Sequence, residues 1–183
     1  MSIQLIQRYY AEVDKIIRYG GSWNESSLRK PFQDLLEQYA RSKNLVLVAE
    51  VELETKRGTR IRPDGMLKDA LRQDWGFWES KDEKDKIEGE IKAKFNKGYP
   101  SFNILFEDTH TAILYQGGER VMESAFSDAK GLDKLISRFV GYEPSEVSEF
   151  HKAIELFSAE VGGLAEVLRS VIRQTVISRS VGR

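Results

Sequence analysis

Residues 45–54 read L-V-L-V-A-E-V-E-L-E, continuously apolar at first and then alternating. A strand that starts in the interior of a sheet and runs out towards solvent has this pattern. Burial on both faces requires apolar residues at every position, whereas burial on one face requires only every second one. R-G-T is the expected turn into a second strand over 59–67, and residues 75–81 form a third. An amphipathic helix follows, with Ile87, Ile91 and Phe95 as its apolar row. Two more strands are expected at 102–106 and 111–115, joined by E-D-T-H, and a short one at 121–125 after Gly117-Gly118. Ahead of this block, Leu5, Ile6, Tyr9, Val13, Ile16 and Ile17 recur at helical spacing and stop at Gly20-Gly21. Ser22 or Asn24 caps a second helix whose apolar face is Leu28, Phe32, Leu35, Leu36 and Tyr39, and Pro31 should kink or restart it. Leu132, Leu135, Ile136 and Phe139 mark a later helix. The order α, α, β, β, β, α, β, β, β, α, α predicts one α/β core and a helical tail.

The composition narrows the chemistry. The chain has 183 residues, enough for one domain with an appendage, and 40% hydrophobic residues supply a core. There is no cysteine, which excludes thiolate metal sites, cysteine nucleophiles and disulfides and fits a reducing cytoplasm. His110 and His151 are the two histidines; His110 is expected in a turn and His151 on a polar helix face. A His-based metal site or a Ser-His-Asp triad therefore has little support. No stretch is apolar and long enough to span a membrane, and S-I-Q-L-I-Q-R-Y-Y lacks a signal-peptide pattern. The net charge of −1 is no nucleic-acid signature by itself. Its distribution says more: T-K-R-G-T-R-I-R (55–62) holds Lys56, Arg57, Arg60 and Arg62 without an acid. Such a run fits a grip on a phosphate backbone, and equally a charged hairpin edge that discourages sheet aggregation.

Immediately after that run comes Pro63-Asp64, and one hairpin later Glu79-Ser80-Lys81 closes the aromatic strand W-G-F-W-E-S-K. Each piece alone has an ordinary structural use, as a turn or as a solvated strand end. In this order they supply the groups that hold Mg²⁺ and a water against a phosphodiester. Mg²⁺ prefers oxygen ligands and is commonly held by one or two protein carboxylates, here Asp64 and Glu79. In a strand, Glu79 and Lys81 point to the same face, with Phe77 and Trp75 sharing that parity and Trp78 and Ser80 opposite. A lysine ammonium there can orient the attacking water or stabilise developing charge.

At these residues the chain resembles the PD-(D/E)XK nuclease superfamily, over about residues 22–116. The resemblance implies a restriction-endonuclease-like α/β core, a central mixed sheet flanked by helices, here with a C-terminal helical extension. It implies a metal-dependent DNA endonuclease using Mg²⁺, with Mn²⁺ as a substitute, on double-stranded DNA. Asp64 and Glu79 would hold the metal with the Ser80 carbonyl as a backbone ligand, and Lys81 would position the water. N-E-S-S-L-R-K-P-F-Q-D-L-L-E resembles the first core helix of nuclease domains that begin single-polypeptide restriction–modification enzymes. There Glu25 matches an acid that faces the metal, directly or through water; an ion pair with Arg29, four residues on, is the plain alternative. K-A-K-F-N-K-G-Y-P resembles the segment after the metal motif, where Tyr99 matches a residue near the phosphates, although the common Gln is missing. The resemblance further implies fusion to, or association with, an adenine methyltransferase and specificity module, and a dimer for double-strand cleavage. A non-catalytic nucleic-acid-binding or assembly module with this fold is the alternative, although such members usually lose one of the three residues that remain intact here. A repair or recombination nuclease shares the chemistry but not the context.

Residues 1–142 are read as the nuclease domain and 143–183 as a helical extension or a linker to a following domain. In the latter, Val147, Phe150, Ile154, Phe157, Val161, Leu164, Leu168 and Val171 recur at three-four spacing. This row is expected to pack against the sheet, with a dimer seam or a lever to another domain as the alternative. Gly162-Gly163 should weaken or bend it.

Overall fold

A computed structural model of the chain describes residues 2–20, 25–55, 57–81 and 87–180, with side chains left out at 25–27, 171 and 173–180. It divides into two compact units, Met1–Pro144 and Ser145–Arg183. The first contains α1 (Ser2–Gly20), α2 (Glu25–Arg41), β1 (Val46–Ala49), β2 (Leu53–Glu54), β3 (Arg60–Ile61), β4 (Gly65–Lys68), β5 (Asp74–Ser80), α3 (Ile87–Asn96), β6 (Asn103–Glu107), β7 (Thr111–Gln116), β8 (Glu119–Ala125) and α4 (Ala129–Gly141). The main sheet has six strands in the order β1-β4-β5-β6-β7-β8, and β2 pairs with β3 apart from it. Only β5 and β6 run parallel in the main sheet, joined through α3; the other neighbours are antiparallel.

Side-chain alternation separates two apolar layers. Leu47, Leu67, Trp78, Leu105 and Leu114 point to one face and pack with Phe32, Leu36 and Tyr39 of α2 and Leu132, Leu135 and Phe139 of α4. Met66, Phe77, Ile104, Phe106 and Ile113 point to the other and pack with Ile91 of α3 and Ile61 of β3. All five residues of β6 are buried, as a central strand covered on both faces requires.

Two strands that the pattern extends are broken. The run at 45–54 leaves the main sheet at Glu50, whose φ is +54°, and resumes as β2 in the small hairpin. The run at 59–67 breaks at 62–64, where Pro63 offers no N–H to a ladder. Both breaks meet at one bond, Glu50 N–H to the Asp64 carbonyl at 3.2 Å. Trp75 departs from its expected parity and packs in the α2–α4 layer. The register steps from Leu67↔Gly76 to Lys68↔Asp74, so Trp75 is the extra residue of a bulge. Pro31 does not end α2, which continues to Arg41. The capping residues expected at 22 or 24 lie outside the described residues.

The second unit is the single helix α5 (Ser145–Ser180), which runs on through Gly162 and Gly163. Val147 on it is buried, whereas Phe150, Ile154, Phe157, Val161, Leu164 and Leu168 are exposed. Val171 carries no described side chain. No helix among the described residues is long and apolar enough to cross a membrane.

Beneath the sheet, Asn103 is fully buried and donates to the Trp75 carbonyl at 2.9 Å and the Phe139 carbonyl at 3.0 Å. Gly76 admits this arrangement: a Cβ there would lie 2.5 Å from Asn103 Nδ2, 2.9 Å from Phe139 Cε2 and 3.1 Å from the Asn103 carbonyl oxygen. Gly76→Ala is expected to destabilise the protein by about 1–3 kcal/mol through overpacking, read as a lower urea midpoint at unchanged slope.

Candidate active site

Pro63-Asp64-Gly65 lies where β3 gives way to β4, but its glycine is not needed for a turn. Gly65 is the first residue of β4, and a Cβ on it would come within 2.8 Å of Trp78 Cε3 and 2.9 Å of Leu47 Cδ1. Its lack of a side chain lets β4 close on β5 beside Trp78, directly after the carboxylate of Asp64. Asp64 Oδ2 accepts the backbone N–H of Ser80 at 2.8 Å, and Oδ1 accepts Arg29 Nη2 at 2.6 Å. The first bond ties Asp64 to the residue that follows Glu79; the second ties it to α2.

Glu79 is 1% exposed on the α3 side of the sheet, paired in register with Phe106. Its Oε2 accepts Lys94 Nζ from α3 at 2.6 Å and lies 3.6 Å from Lys81 Nζ. Its Oε1 is buried without a hydrogen-bond partner among the described residues. Burial raises the Glu79 pKa above its ordinary value and Asp64 adds to the rise, while the hydrogen bond and charge of Lys94 and the charge of Lys81 oppose it. Lys81 also lies 3.7 Å from Glu90 of α3. Tyr99 is 7% exposed, and its hydroxyl accepts Lys94 Nζ at 3.1 Å. Burial, then the charge of Glu79, raise the Tyr99 pKa.

The structure thus brings together Asp64, Glu79, Lys81 and Tyr99, with Ser80 fixed through its N–H. Glu25 opens α2, but its side chain lies outside the described residues, as does the whole of Lys56. Arg29 is engaged with Asp64 and, at 3.4 Å, with Glu50. On the basic hairpin, Arg62 donates to the Glu50 carboxylate and carbonyl, and Arg57 Nη1 donates to the Asn96 carbonyl at 3.3 Å. Glu50 is therefore an acid brought to a segment that has none in its own sequence. Arg60 is exposed.

Arg29, Glu90 and Lys94 belong to the site; local spacing offered Arg29 only as an ion-pair partner of Glu25 and did not single out Glu90 or Lys94. Glu90 and Lys94 stand four apart on α3, so a shared face was legible, but not that the face is turned to Glu79. No cluster of three Asp, Glu or His suited to a metal occurs among the described residues. Two carboxylates, one with an unpartnered buried oxygen, nonetheless suit a hard cation such as Mg²⁺, which commonly takes one or two protein carboxylates.

No protein-family model and no curated protein matches the chain. Among solved structures it is similar to the cryo-EM structure of a DrdV–DNA complex, with 43% identity and a TM-score of 0.78 over 92% of this chain. The chain spans 17% of the length of that DrdV chain. A candidate nuclease from Anabaena variabilis gives 9% identity and a TM-score of 0.39 over 59% of this chain and 79% of that one. With the DrdV similarity, the mixed sheet and its flanking helices are a restriction-endonuclease-like nuclease fold.

The raised pKa of Glu79 has a sign that can be measured. Ionising Glu79 costs more in the folded than in the unfolded chain, so the cost is full above its raised folded-state value and vanishes below the ordinary 4.5. In metal-free buffer Glu79→Gln is expected to melt higher than the unsubstituted protein at pH 8, with the difference shrinking as pH falls towards 4.5. Calorimetric melts across that range check it.

Proposed function

We propose that this chain, with its restriction-endonuclease-like nuclease fold, is the metal-dependent DNA endonuclease domain of a restriction–modification system. The observation that carries the reading is the buried Glu79 carboxylate, one oxygen unpartnered, beside Asp64 and Lys81 at the end of β5. A carboxylate buried in this way is suited to an incoming cation. Asp64 and Glu79 would hold Mg²⁺ or Mn²⁺, with the Ser80 carbonyl as a further ligand. The bound metal supplies a water of lowered pKa and neutralises charge on the phosphodiester.

The protein's own part is positioning. Arg29 and the Ser80 N–H fix both oxygens of Asp64, so its carboxylate keeps one orientation relative to β5. Lys81, 16% exposed on its side chain, sits between Glu79 and Glu90 and orients the attacking water. Tyr99 lies too deep for a backbone grip from the surface and acts at the phosphate nearest the carboxylates. Double-stranded DNA is the proposed substrate, supported by the DNA in the DrdV complex. The much greater length of the DrdV chain is compatible with a methyltransferase and specificity module as partners, and two copies would cut both strands. A cytoplasmic location accords with the absence of cysteine.

Asp64→Ala and Glu79→Ala are expected to abolish cleavage of plasmid DNA in Mg²⁺ while circular dichroism remains that of the folded protein, because each removes a ligand from a small set. Full activity in either folded variant contradicts the assignment. Lys81→Ala should retain metal affinity and lose about 10²–10⁴-fold in single-turnover rate, the span of positioned proton-transfer groups.

The hairpin gives a separate test. Arg60 is expected to contact the DNA backbone, so Arg60→Gln should flatten the log–log salt dependence of DNA binding by about one unit, equally for unrelated sequences. Arg62→Gln should do less, because Glu50 already engages that guanidinium. An unchanged slope for Arg60→Gln, with increased aggregation, identifies the run as sheet-edge protection.

A further inference from the structure

The proposed chemistry has no use for Lys94, yet its ammonium makes the shortest contact to Glu79, at 2.6 Å against 3.6 Å for Lys81. Lys94 is well placed to hold that position. It projects from the last turn of α3, a helix anchored by buried Ile91, and its side chain is 15% exposed. Tyr99 gives it a second foothold, with the hydroxyl at 3.1 Å and the ring centroid 4.6 Å from Nζ. Lys81 is meanwhile shared with Glu90, so the strand lysine has an acid of its own. Two ammonium groups therefore converge on a single carboxylate, and the stronger contact comes from the one outside the strand motif.

We infer that Lys94 is an internal cation that holds Oε2 of Glu79 in the metal-free protein and opposes the binding of a divalent ion at the same carboxylate, whose Oε1 has no hydrogen-bond partner among the described residues. The inference rests on the metal-dependent reading above and adds a positioning residue to it. A positive charge hydrogen-bonded to one oxygen of a carboxylate draws negative charge from the other and repels an ion that approaches it. Lys94 thereby sets metal affinity below what Asp64 and Glu79 offer on their own. It also keeps the buried carboxylate paired while no metal is present, which limits the cost of leaving it charged and dry. Tyr99, bonded to the same ammonium, helps to hold it there. A phosphodiester brought to the site supplies a further anion for Lys94, so substrate and metal favour each other's binding.

The test is a titration of the DNA-free protein with Mn²⁺ at pH 8, read by calorimetry, beside melting curves with and without Mn²⁺. Lys94→Met is expected to bind Mn²⁺ at least about tenfold more tightly than the unsubstituted protein and to gain more in melting temperature from the metal. Lys94→Arg keeps a cation at the position and should bind as weakly as the unsubstituted protein. Lys94→Gln should follow Met. Glu79→Gln identifies the site and should lose the binding. Affinity unchanged or lowered in Lys94→Met, with binding still dependent on Glu79, overturns the role of Lys94 and leaves the metal site standing. No Glu79-dependent Mn²⁺ binding in any form overturns both. Met and Gln variants that stay unfolded in metal-free and metal-containing buffer alike show the pair to be purely structural, and overturn the inference too.

Discussion

The bond from the Ser80 N–H to Asp64 Oδ2, 2.8 Å long, is the contact on which the site depends. Asp64 belongs to an irregular segment between two short strands, and such a segment has no fixed relation to a sheet unless something ties it there. The β5 backbone does so one residue after Glu79, and Arg29 of α2 holds the other oxygen. Three elements far apart in sequence are then locked at one end of the sheet. The close approach of β4 and β5 at Gly65 and Trp78 allows this, and the Glu50 N–H to Asp64 carbonyl bond turns the chain away to form the outer hairpin.

Electrostatics at this end of the sheet are arranged around desolvation. Glu79 lies in a layer of Phe77, Phe106 and Ile91, where an isolated carboxylate is costly. Two lysines offset part of that cost at Oε2, while the buried Oε1 has no hydrogen-bond partner among the described residues. A divalent cation placed against it relieves a cost already present in the fold. Binding and stability are therefore linked at one atom, which gives the account observables that do not depend on cleavage.

Much of the architecture was legible in the chain because it follows from periodicity. The two-residue period placed Phe77 and Glu79 on one side and Trp78 on the other. What was not legible arises from contacts between distant segments. Nothing local distinguishes Gly65 as a packing glycine from Gly65 as a turn residue; the difference is Trp78 and Leu47 above it. The bulge at Trp75 follows from the register with β4, and the positive φ of Glu50 from its bond to Asp64. Arg29 and Lys94 read as ordinary helix cations until α2 and α3 dock on the sheet. The three-four spacing of the apolar row on α5 likewise left its use open: Val147 is buried, while Phe150, Ile154, Phe157, Val161, Leu164 and Leu168 are exposed. Spacing reports that a face is apolar, not what covers it.

The central claim, that Asp64 and Glu79 are the metal ligands, is tested most directly by anomalous diffraction at the manganese edge from crystals grown with Mn²⁺. The account predicts a peak at about 2.0–2.3 Å from a carboxylate oxygen of each residue, the usual range for oxygen ligands of a hard divalent ion. A fully occupied manganese elsewhere on the molecule, with none at Asp64 and Glu79, would contradict it.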